Sequence, residues 1–498
     1  MFVNFSVQRI LIGILLITNL LSNNIDNNPY LESRIRLFEE WMNTQIDYLS
    51  LKGISVGVVY KQELVYYKGF GYVNTENQIL TDENTNYRIG SVTKLFTSVA
   101  LMKLIDEGKI KLNDPVVKYI PELYDINTNY NVEKITIKSI LQHTTGLPRD
   151  PPIMWDGKHK QKVVKPEEAL KIISRAGLIY KPNRIFNYSP SGMVIGGIII
   201  ERVTGKDYID YIESNIFKPM EMSASHIPDS DEEFNISNVG YGSLIDGERK
   251  QKDWEVGFPY NNAGAGIVSN VVDLSKFVRW HFKVLKDNED SIISYKTLKK
   301  MHKVHWIPIP FNIHPLIMSP MTWLSNIFYR DGWGLGYRIR NSFIGHGGRQ
   351  YGYRSHVSIY TDNNIGIIVL ANTWDAPVSP WDNRSISKNL YQIVGKALLT
   401  TNDTYHLEWE EYENTYYLVE DYFYGNYITT IDDKLAIIDL SNPFPLQKPE
   451  LFEFIGNDSF KVSRGYHARY SQIINFERDN NNNINALIMG DYKYHPKY

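Results

Sequence analysis

Apolar positions between residues 29 and 49 (Leu31, Ile35, Leu37, Phe38, Trp41, Met42, Ile46 and Leu49) recur at helical spacing. This periodicity predicts a helix that packs on a sheet. The period then shortens. Residues 53–59 and 64–72 are rich in β-branched and aromatic side chains and flank the polar turn Lys61-Gln62-Glu63, which predicts two paired strands. A second helix is expected from Ser91 through Leu104, closing at Gly108, and a third over 135–148, closed by Gly146-Leu147-Pro148. Further helices are read at 193–203, stopped by Gly205, and at 271–284, behind the glycine-rich stretch 263–270. Residues 355–360 and 365–371 form another strand pair about Asp362-Asn363-Asn364, and 386–399 reads as a closing amphipathic helix. Beyond about residue 401 the texture changes to short aromatic strands, among them 416–419, 425–431, 434–438 and 473–476. Turn signals between them suggest a small all-β module.

The stretch with the most chemical content opens the second helix, Gly90-Ser91-Val92-Thr93-Lys94. On a helix, residues three apart share a face, so Ser91 and Lys94 can touch. A serine hydroxyl is a weak nucleophile until a neighbouring base takes its proton, and a lysine amine kept partly neutral by burial can do so. The same spacing recurs at Ser385-Ile386-Ser387-Lys388, without an apolar helix opening of the same kind behind it. A second decoy is Gly53-Ile54-Ser55-Val56-Gly57, which matches a nucleophile-elbow pattern. That motif needs a helix after its strand, and here another strand follows.

Other candidates carry simpler readings. His143 and the neighbouring threonines read as caps and braces of the Gly-Leu-Pro turn. Tyr188 stands on the turn before the 193–203 helix, where a phenol can reach a cleft, although a packed core tyrosine is the ordinary reading among 35 tyrosines. The glycines at 264 and 266 lack the Lys-Ser/Thr pair of a phosphate cradle. His302 and His305 are three apart with no acidic ligand nearby, so helix packing explains them better than a metal site.

Composition narrows the classes. The chain of 498 residues is 43% hydrophobic and 22% charged, room for a large core and more than one domain. A net charge of −3 gives no footprint for nucleic acid, and the lack of cysteine excludes disulfides, a thiol nucleophile and cysteine-ligated metals. Arg9, the apolar run 10–21 and the polar Ser22-Asn23-Asn24 read as a signal peptide over residues 1–22. Secretion is therefore expected, with a retained N-terminal membrane anchor as the alternative. The sequons at Asn235, Asn383, Asn402 and Asn457 are compatible with a glycosylated product. Residues 306–329 are aromatic, nearly uncharged and broken by Pro308, Pro310, Pro315 and Pro320, which suits a lid, a lipid-facing flap or a packing insert and rules out a spanning helix.

The run Gly90 to Lys94, the turn Gln142-His143-Thr144-Thr145-Gly146-Leu147-Pro148, the pair Tyr188-Ser189 and the strand His346-Gly347-Gly348 occur in the order seen in serine β-lactamase-related proteins. The chain resembles that family, which includes class C β-lactamases, D-alanyl-D-alanine carboxypeptidases and β-lactamase-fold esterases. The resemblance runs from about residue 35 to 399. It implies an α/β (α+β) fold, an antiparallel sheet flanked by helices with a helical lobe, followed by a small C-terminal all-β domain. The expected domains are thus 30–400 and 401–498.

The resemblance also implies roles. Ser91 would attack a carbonyl and form an acyl-enzyme, Lys94 would take its proton, and Tyr188 would protonate the leaving group. The N–H groups of Ser91 and Arg349 would make an oxyanion hole, with His346 and Gly348 on the substrate-binding strand. No metal or cofactor is implied. Two departures from class C enzymes bear on the substrate: Pro190 stands where they carry asparagine, and His346 where they carry lysine. Both argue against efficient β-lactam hydrolysis and favour an ester, amide or peptide. The competing reading is a catalytically silent member used for binding or assembly, against which stands the presence of all three reactive side chains.

Overall fold

The computed structural model describes residues 28–149, 165–228, 239–251, 262–288, 292–308, 332–340, 342–400, 407–418, 425–431, 434–464, 472–490 and 492–497. The expected signal segment 1–22 and most of the 306–329 stretch lie outside the described residues. Among the described residues, no helix is long and apolar enough to cross a membrane. The chain forms two compact units, one over Ser50–Asp382 and the other joining the residues before Ser50 to those from Asn383 onward.

The Ser50–Asp382 unit is built on an eight-stranded antiparallel sheet. Its strands are β1 (Gly53–Tyr60), β2 (Glu63–Asn74), β3 (Ile79–Leu80), β6 (Gly332–Trp333), β7 (Arg338–Arg340), β8 (Phe343–Gln350), β9 (Tyr353–Tyr360) and β10 (Ile365–Ala371). They lie in the order β3-β2-β1-β10-β9-β8-β7-β6. A separate two-stranded ladder joins β4 (Tyr87–Arg88) to β5 (Val268–Ser269). Strands β1 and β10 pair centrally and are buried almost throughout, which is why both read as continuous apolar runs. The helix Val271–Asp287 packs on them at two glycines. A Cβ on Gly57 would come within 2.5 Å of Val271, and one on Gly366 within 2.3 Å of Val278. Gly57 therefore belongs to helix–sheet packing. Ser55 is a structural serine, bonded to the Asp82 carbonyl (2.5 Å) and the Tyr87 hydroxyl (2.9 Å).

The helical lobe centres on Thr93–Asp106 and Pro190–Thr204, and both contribute heavily to one large apolar core. The second of these ends as expected, on Gly205 in the left-handed conformation. The helix expected over 135–148 is much shorter, Ile137–Leu141. A capping box between Thr136 and Ser139 starts it, and His143, at φ +55°, turns the chain out of helical geometry soon after it ends.

In the other unit, β11 (Asn414–Leu418), β12 (Asn426–Ile431), β13 (Lys434–Asp439), β14 (Glu450–Gly456), β15 (Ser459–Arg464), β16 (Ile473–Arg478), β17 (Ile484–Met489) and β18 (Tyr492–Pro496) close into an antiparallel barrel. Closure removes exposed sheet edges. Tyr416, Ile428, Phe452, Phe460 and Phe476 belong to its apolar core. The helix Pro29–Tyr48 joins this unit: Trp41 donates to the Asn442 carbonyl (3.0 Å) and Gln45 to that of Leu440 (2.9 Å). The closing segment joins it too, through Arg384 to the Ser441 carbonyl (2.9 Å) and Asn389 to that of Pro443 (2.7 Å). The contacts divide the chain near residues 50 and 383. The expected helix at 386–399 begins as Ile386–Leu390 and widens into a π turn over Tyr391–Gly395.

Candidate active site

Ser91 lies in a single 3₁₀ turn, Gly90–Val92, that feeds directly into the helix beginning at Thr93. Lys94 sits in the first turn of that helix and is only 1% exposed. Its Nζ donates to Ser91 Oγ at 2.9 Å and to the Gly264 carbonyl at 2.6 Å. The second bond fixes the ammonium from the far side. It comes from the glycine-rich stretch, which forms a short helix, Asn262–Ala265, against the nucleophile helix. Thr97, one turn after Thr93, donates to the neighbouring Ala263 carbonyl at 2.6 Å. A small residue also lets the helix Pro190–Thr204 approach this short helix: a Cβ on Gly197 would fall 2.8 Å from that of Ala263. In the glycine-rich stretch, which lacks the Lys-Ser/Thr pair of a phosphate cradle, it is the Gly264 carbonyl that holds the lysine.

Strand β8 presses on the nucleophile turn from the sheet side. A Cβ on Gly348 would lie 1.9 Å from the Ile89 carbonyl oxygen, so only glycine fits. Ser355, paired with Gly348 across β9, donates to that same carbonyl at 2.6 Å. Gly90 takes a positive φ of +51°, and a Cβ there would come 2.9 Å from the Arg349 backbone nitrogen. The backbone of Arg349 thus abuts the turn that carries Ser91. Its guanidinium stacks over Trp374 at 4.5 Å.

Tyr188 enters from the helical lobe, just before the helix Pro190–Thr204 that Ser189 caps by accepting from the Gly192 N–H. The Lys94 ammonium lies 5.1 Å from its ring centroid. The backbone on either side of Tyr188 is held by one residue, His143. Its carbonyl accepts from the Asn187 N–H (2.8 Å) and its Nδ1 from the Ser189 N–H (3.2 Å), while its ring lies 4.5 Å from that of Tyr188. His143 does brace a turn, and that turn is the one bearing Tyr188. Burial, then the Lys94 cation and His346 nearby, hold its pKa well below the usual histidine value.

His346 lies on β8, 6% exposed. Its Nδ1 is 2.6 Å from the Gly347 carbonyl oxygen, and its Nε2 is buried with no hydrogen-bond partner among the described residues. Burial and the Lys94 cation push its pKa down to about 3, so the ring is neutral. A cavity of about 430 Å³ opens beside it, lined by Phe186, Tyr188, Trp333, Arg338, His346 and Trp381 among others. Neither Ser91 nor Lys94 is among the lining residues; of those that are, Tyr188 has the Lys94 Nζ 5.1 Å from its ring centroid. Trp333 ties the group together. It donates from Nε1 to the Leu141 carbonyl (3.1 Å), and its ring lies within 6 Å of those of His143, Phe186, Tyr188 and His346. Nothing along the chain assigns a role to Phe186, Trp333, Arg338 or Trp381. A lone aromatic carries no signal of the cavity it lines.

The remaining candidates lie elsewhere. Ser385 is a helix cap, accepting from the Lys388 N–H at 3.0 Å, and Lys388 places its ammonium over Phe444 at 4.4 Å. His302 stacks on His281 at 5.5 Å, and His305 Nε2 lies 2.9 Å from the Lys300 carbonyl. Among the described residues, no group of three or more His, Cys, Asp or Glu could hold a metal ion.

Comparison with known proteins agrees with this architecture. The β-lactamase family profile matches residues 38–387, and the chain belongs to the β-lactamase family. It is 26% identical over 326 residues to Protein flp of Staphylococcus aureus (strain MRSA252), a match covering 65% of this chain and 60% of that protein. The chain thus spans about 60% of the length of such curated relatives. A putative D-alanyl-D-alanine carboxypeptidase of Salmonella agona (strain SL483) is 32% identical over 200 residues, 38% of this chain and 46% of that one. Among solved structures, the octameric penicillin-binding protein homologue from Pyrococcus abyssi is similar with a TM-score of 0.59 at 25% identity, over 92% of this chain and 99% of the other.

Proposed function

We propose that this protein is a serine hydrolase that forms an acyl-enzyme at Ser91 on an ester, amide or peptide substrate. The observation that carries this reading is the 2.9 Å contact between Lys94 Nζ and Ser91 Oγ, with the lysine buried and anchored on the Gly264 carbonyl. In this scheme Lys94, in its neutral form, removes the Ser91 proton as Oγ adds to the carbonyl carbon. The developing oxyanion is taken up by the backbone N–H groups of Ser91 and Arg349. Tyr188 hands a proton to the leaving group, and water then releases the acyl group by the reverse sequence.

Family membership supports a hydrolase, and the named Salmonella relative points to the same kind of chemistry. The neutral state of His346 removes the fixed positive charge that a lysine would offer a substrate carboxylate, which disfavours β-lactams. The test is covalent labelling with a fluorophosphonate probe read by peptide mass spectrometry. The adduct is expected on Ser91 and absent from Ser91→Ala. An intact protein that gives no Ser91 adduct with fluorophosphonate or β-lactam probes and turns over no ester, amide or peptide substrate would be a binding or assembly module instead, and ester turnover that survives Ser91→Ala would move the chemistry to another residue.

A further inference from the structure

Tyr188 is gripped through its neighbours. The N–H of Asn187 donates to the His143 carbonyl at 2.8 Å, and that of Ser189 donates to His143 Nδ1 at 3.2 Å. A backbone N–H only donates, so Nδ1 is the nitrogen of this ring that carries no proton. One residue thus closes a bond on each side of Tyr188, with its main chain on one side and its side chain on the other. It stands at φ +55°, a conformation that histidine adopts more readily than most residues. Its buried ring lies 4.5 Å from that of Tyr188. The same turn holds the two neighbours again, through Asn187 Nδ2 to the Leu147 carbonyl (2.6 Å) and Ser189 Oγ to the Pro148 carbonyl (2.9 Å). Neither of these bonds replaces the acceptor that Nδ1 offers to the Ser189 N–H.

We infer that His143 is a positioning residue for proton transfer at Tyr188, its Nδ1 and its ring holding the phenol where it meets the leaving group. The inference rests on the serine-hydrolase reading and on the role of Tyr188 within it. A displacement of about 1 Å in such a group costs about a hundredfold in rate. The loss falls on one step. As the bond from the carbonyl carbon to the leaving oxygen breaks, its electron pair stays on that oxygen, which takes the Tyr188 proton. The phenolate then regains a proton from the Lys94 ammonium. A nitrophenolate leaves as an anion without needing that proton, whereas an alkoxide needs it. Misplacing Tyr188 therefore penalises alkyl esters and spares nitrophenyl esters.

The experiment compares kcat/KM, which reports acylation, for p-nitrophenyl butyrate and methyl butyrate in the wild type, His143→Gly, His143→Asn and Tyr188→Phe. Glycine and asparagine both tolerate the positive φ, and only asparagine returns an acceptor to the Ser189 N–H. In His143→Gly the preference for the nitrophenyl ester is expected to rise about a hundredfold, as in Tyr188→Phe, and in His143→Asn to fall back to within about tenfold of the wild type. Adding His143→Gly to Tyr188→Phe should raise it no further, since both act at one step. A general loss of folded protein lowers both esters together and leaves their ratio alone. An unchanged ratio in His143→Gly therefore overturns the inference, as does a rise that adds to that of Tyr188→Phe. A second readout needs no turnover. With 3-fluorotyrosine at position 188 alone, the ¹⁹F spectrum should show one narrow line in the wild type and in His143→Asn, broadened or doubled in His143→Gly. A narrow line in all three proteins also overturns the inference. Fluorophosphonate labelling expels fluoride, which leaves as an anion, so it reads on the hydrolase proposal separately. A wild type labelled at Ser91, with an ester ratio unmoved by His143→Gly, sinks the role of His143 and leaves the hydrolase standing.

Discussion

Two Ser-x-x-Lys segments occur in this chain, and the fold uses them in opposite ways. At Ser91 the hydroxyl meets the side chain of the lysine (2.9 Å); at Ser385 it meets the lysine's backbone N–H (3.0 Å). The difference lies in phase. Ser385 is the N-cap of its helix, so its oxygen is taken by one of the unpaired N–H groups of the first turn. Ser91 sits one residue before the cap position, in a 3₁₀ turn, and its hydroxyl is left for the lysine. Surroundings complete the contrast. Lys94 is drawn inward by the Gly264 carbonyl, whereas Lys388 lays its ammonium over Phe444. Spacing alone makes a pair of neighbours; a buried acceptor on the far side makes one of them a candidate base.

The sharpest break of this comparison is substitution at the two serines and two lysines. Ser91→Ala and Lys94→Ala should each lower ester turnover by about a thousandfold or more. Ser385→Ala and Lys388→Ala should leave it unchanged. Steady-state kinetics on the four variants check this, and loss of turnover in the Ser385 variant would undo the distinction.

Acid should separate the surroundings next. The unit that carries Ser91 also buries His143, His281, His302, His346 and His356, all held below the ordinary histidine pKa by burial. His281 is pushed to about 4 and His346 to about 3, against 6.5 in the unfolded chain. Between those values the unfolded chain binds protons that the folded one does not. Their contribution to stability is thus fully present above about pH 6.5 and is lost as pH falls toward 4. Each such histidine contributes a slope of about 1.4 kcal/mol per pH unit. Chemical denaturation monitored by tryptophan fluorescence between pH 7 and 4.5 should show this fall.

A third, smaller effect tests the sheet side of the nucleophile turn. Gly348→Ala forces a Cβ against the Ile89 carbonyl and should cost about 2–3 kcal/mol through overpacking. It should also lower kcat, because Ile89 adjoins the Gly90–Val92 turn. A Gly348→Ala protein of unchanged stability and turnover would show that the turn does not depend on β8. The smallest effect belongs to the cap. Ser385→Ala should cost about 1 kcal/mol of stability, the usual loss of an N-cap hydroxyl, readable as a shift in denaturation midpoint.

Much of the fold could be read along the chain. The helices at 29 and 93, the β1–β2 hairpin and the β9–β10 pair follow from periodicity, which is a local property of helices and strands. The contact between Ser91 and Lys94 is of this kind too, since residues three apart are neighbours in any helical turn. The rejection of Ser55 likewise needed only the strand that follows it. Element lengths were less legible: nothing in residues 142–148 announces that His143 will adopt φ +55° and end helical geometry.

What the tertiary structure decided involves partners far apart in sequence. The Gly264 carbonyl that anchors Lys94 is 170 residues away, and the Ser355 hydroxyl that fixes Ile89 is 266 away. Packing chooses such pairs, and an acceptor supplied by backbone leaves no trace in side-chain identity. The same holds for the division of the chain, where the first helix joins a barrel that begins more than 360 residues later. The sequence by itself determined that a serine and a lysine would share a helical turn ahead of an apolar helix. Only the folded chain decided that this lysine, and not Lys388, would be buried against a carbonyl with its serine left to it, because burial and long-range acceptors are properties of packing and not of spacing.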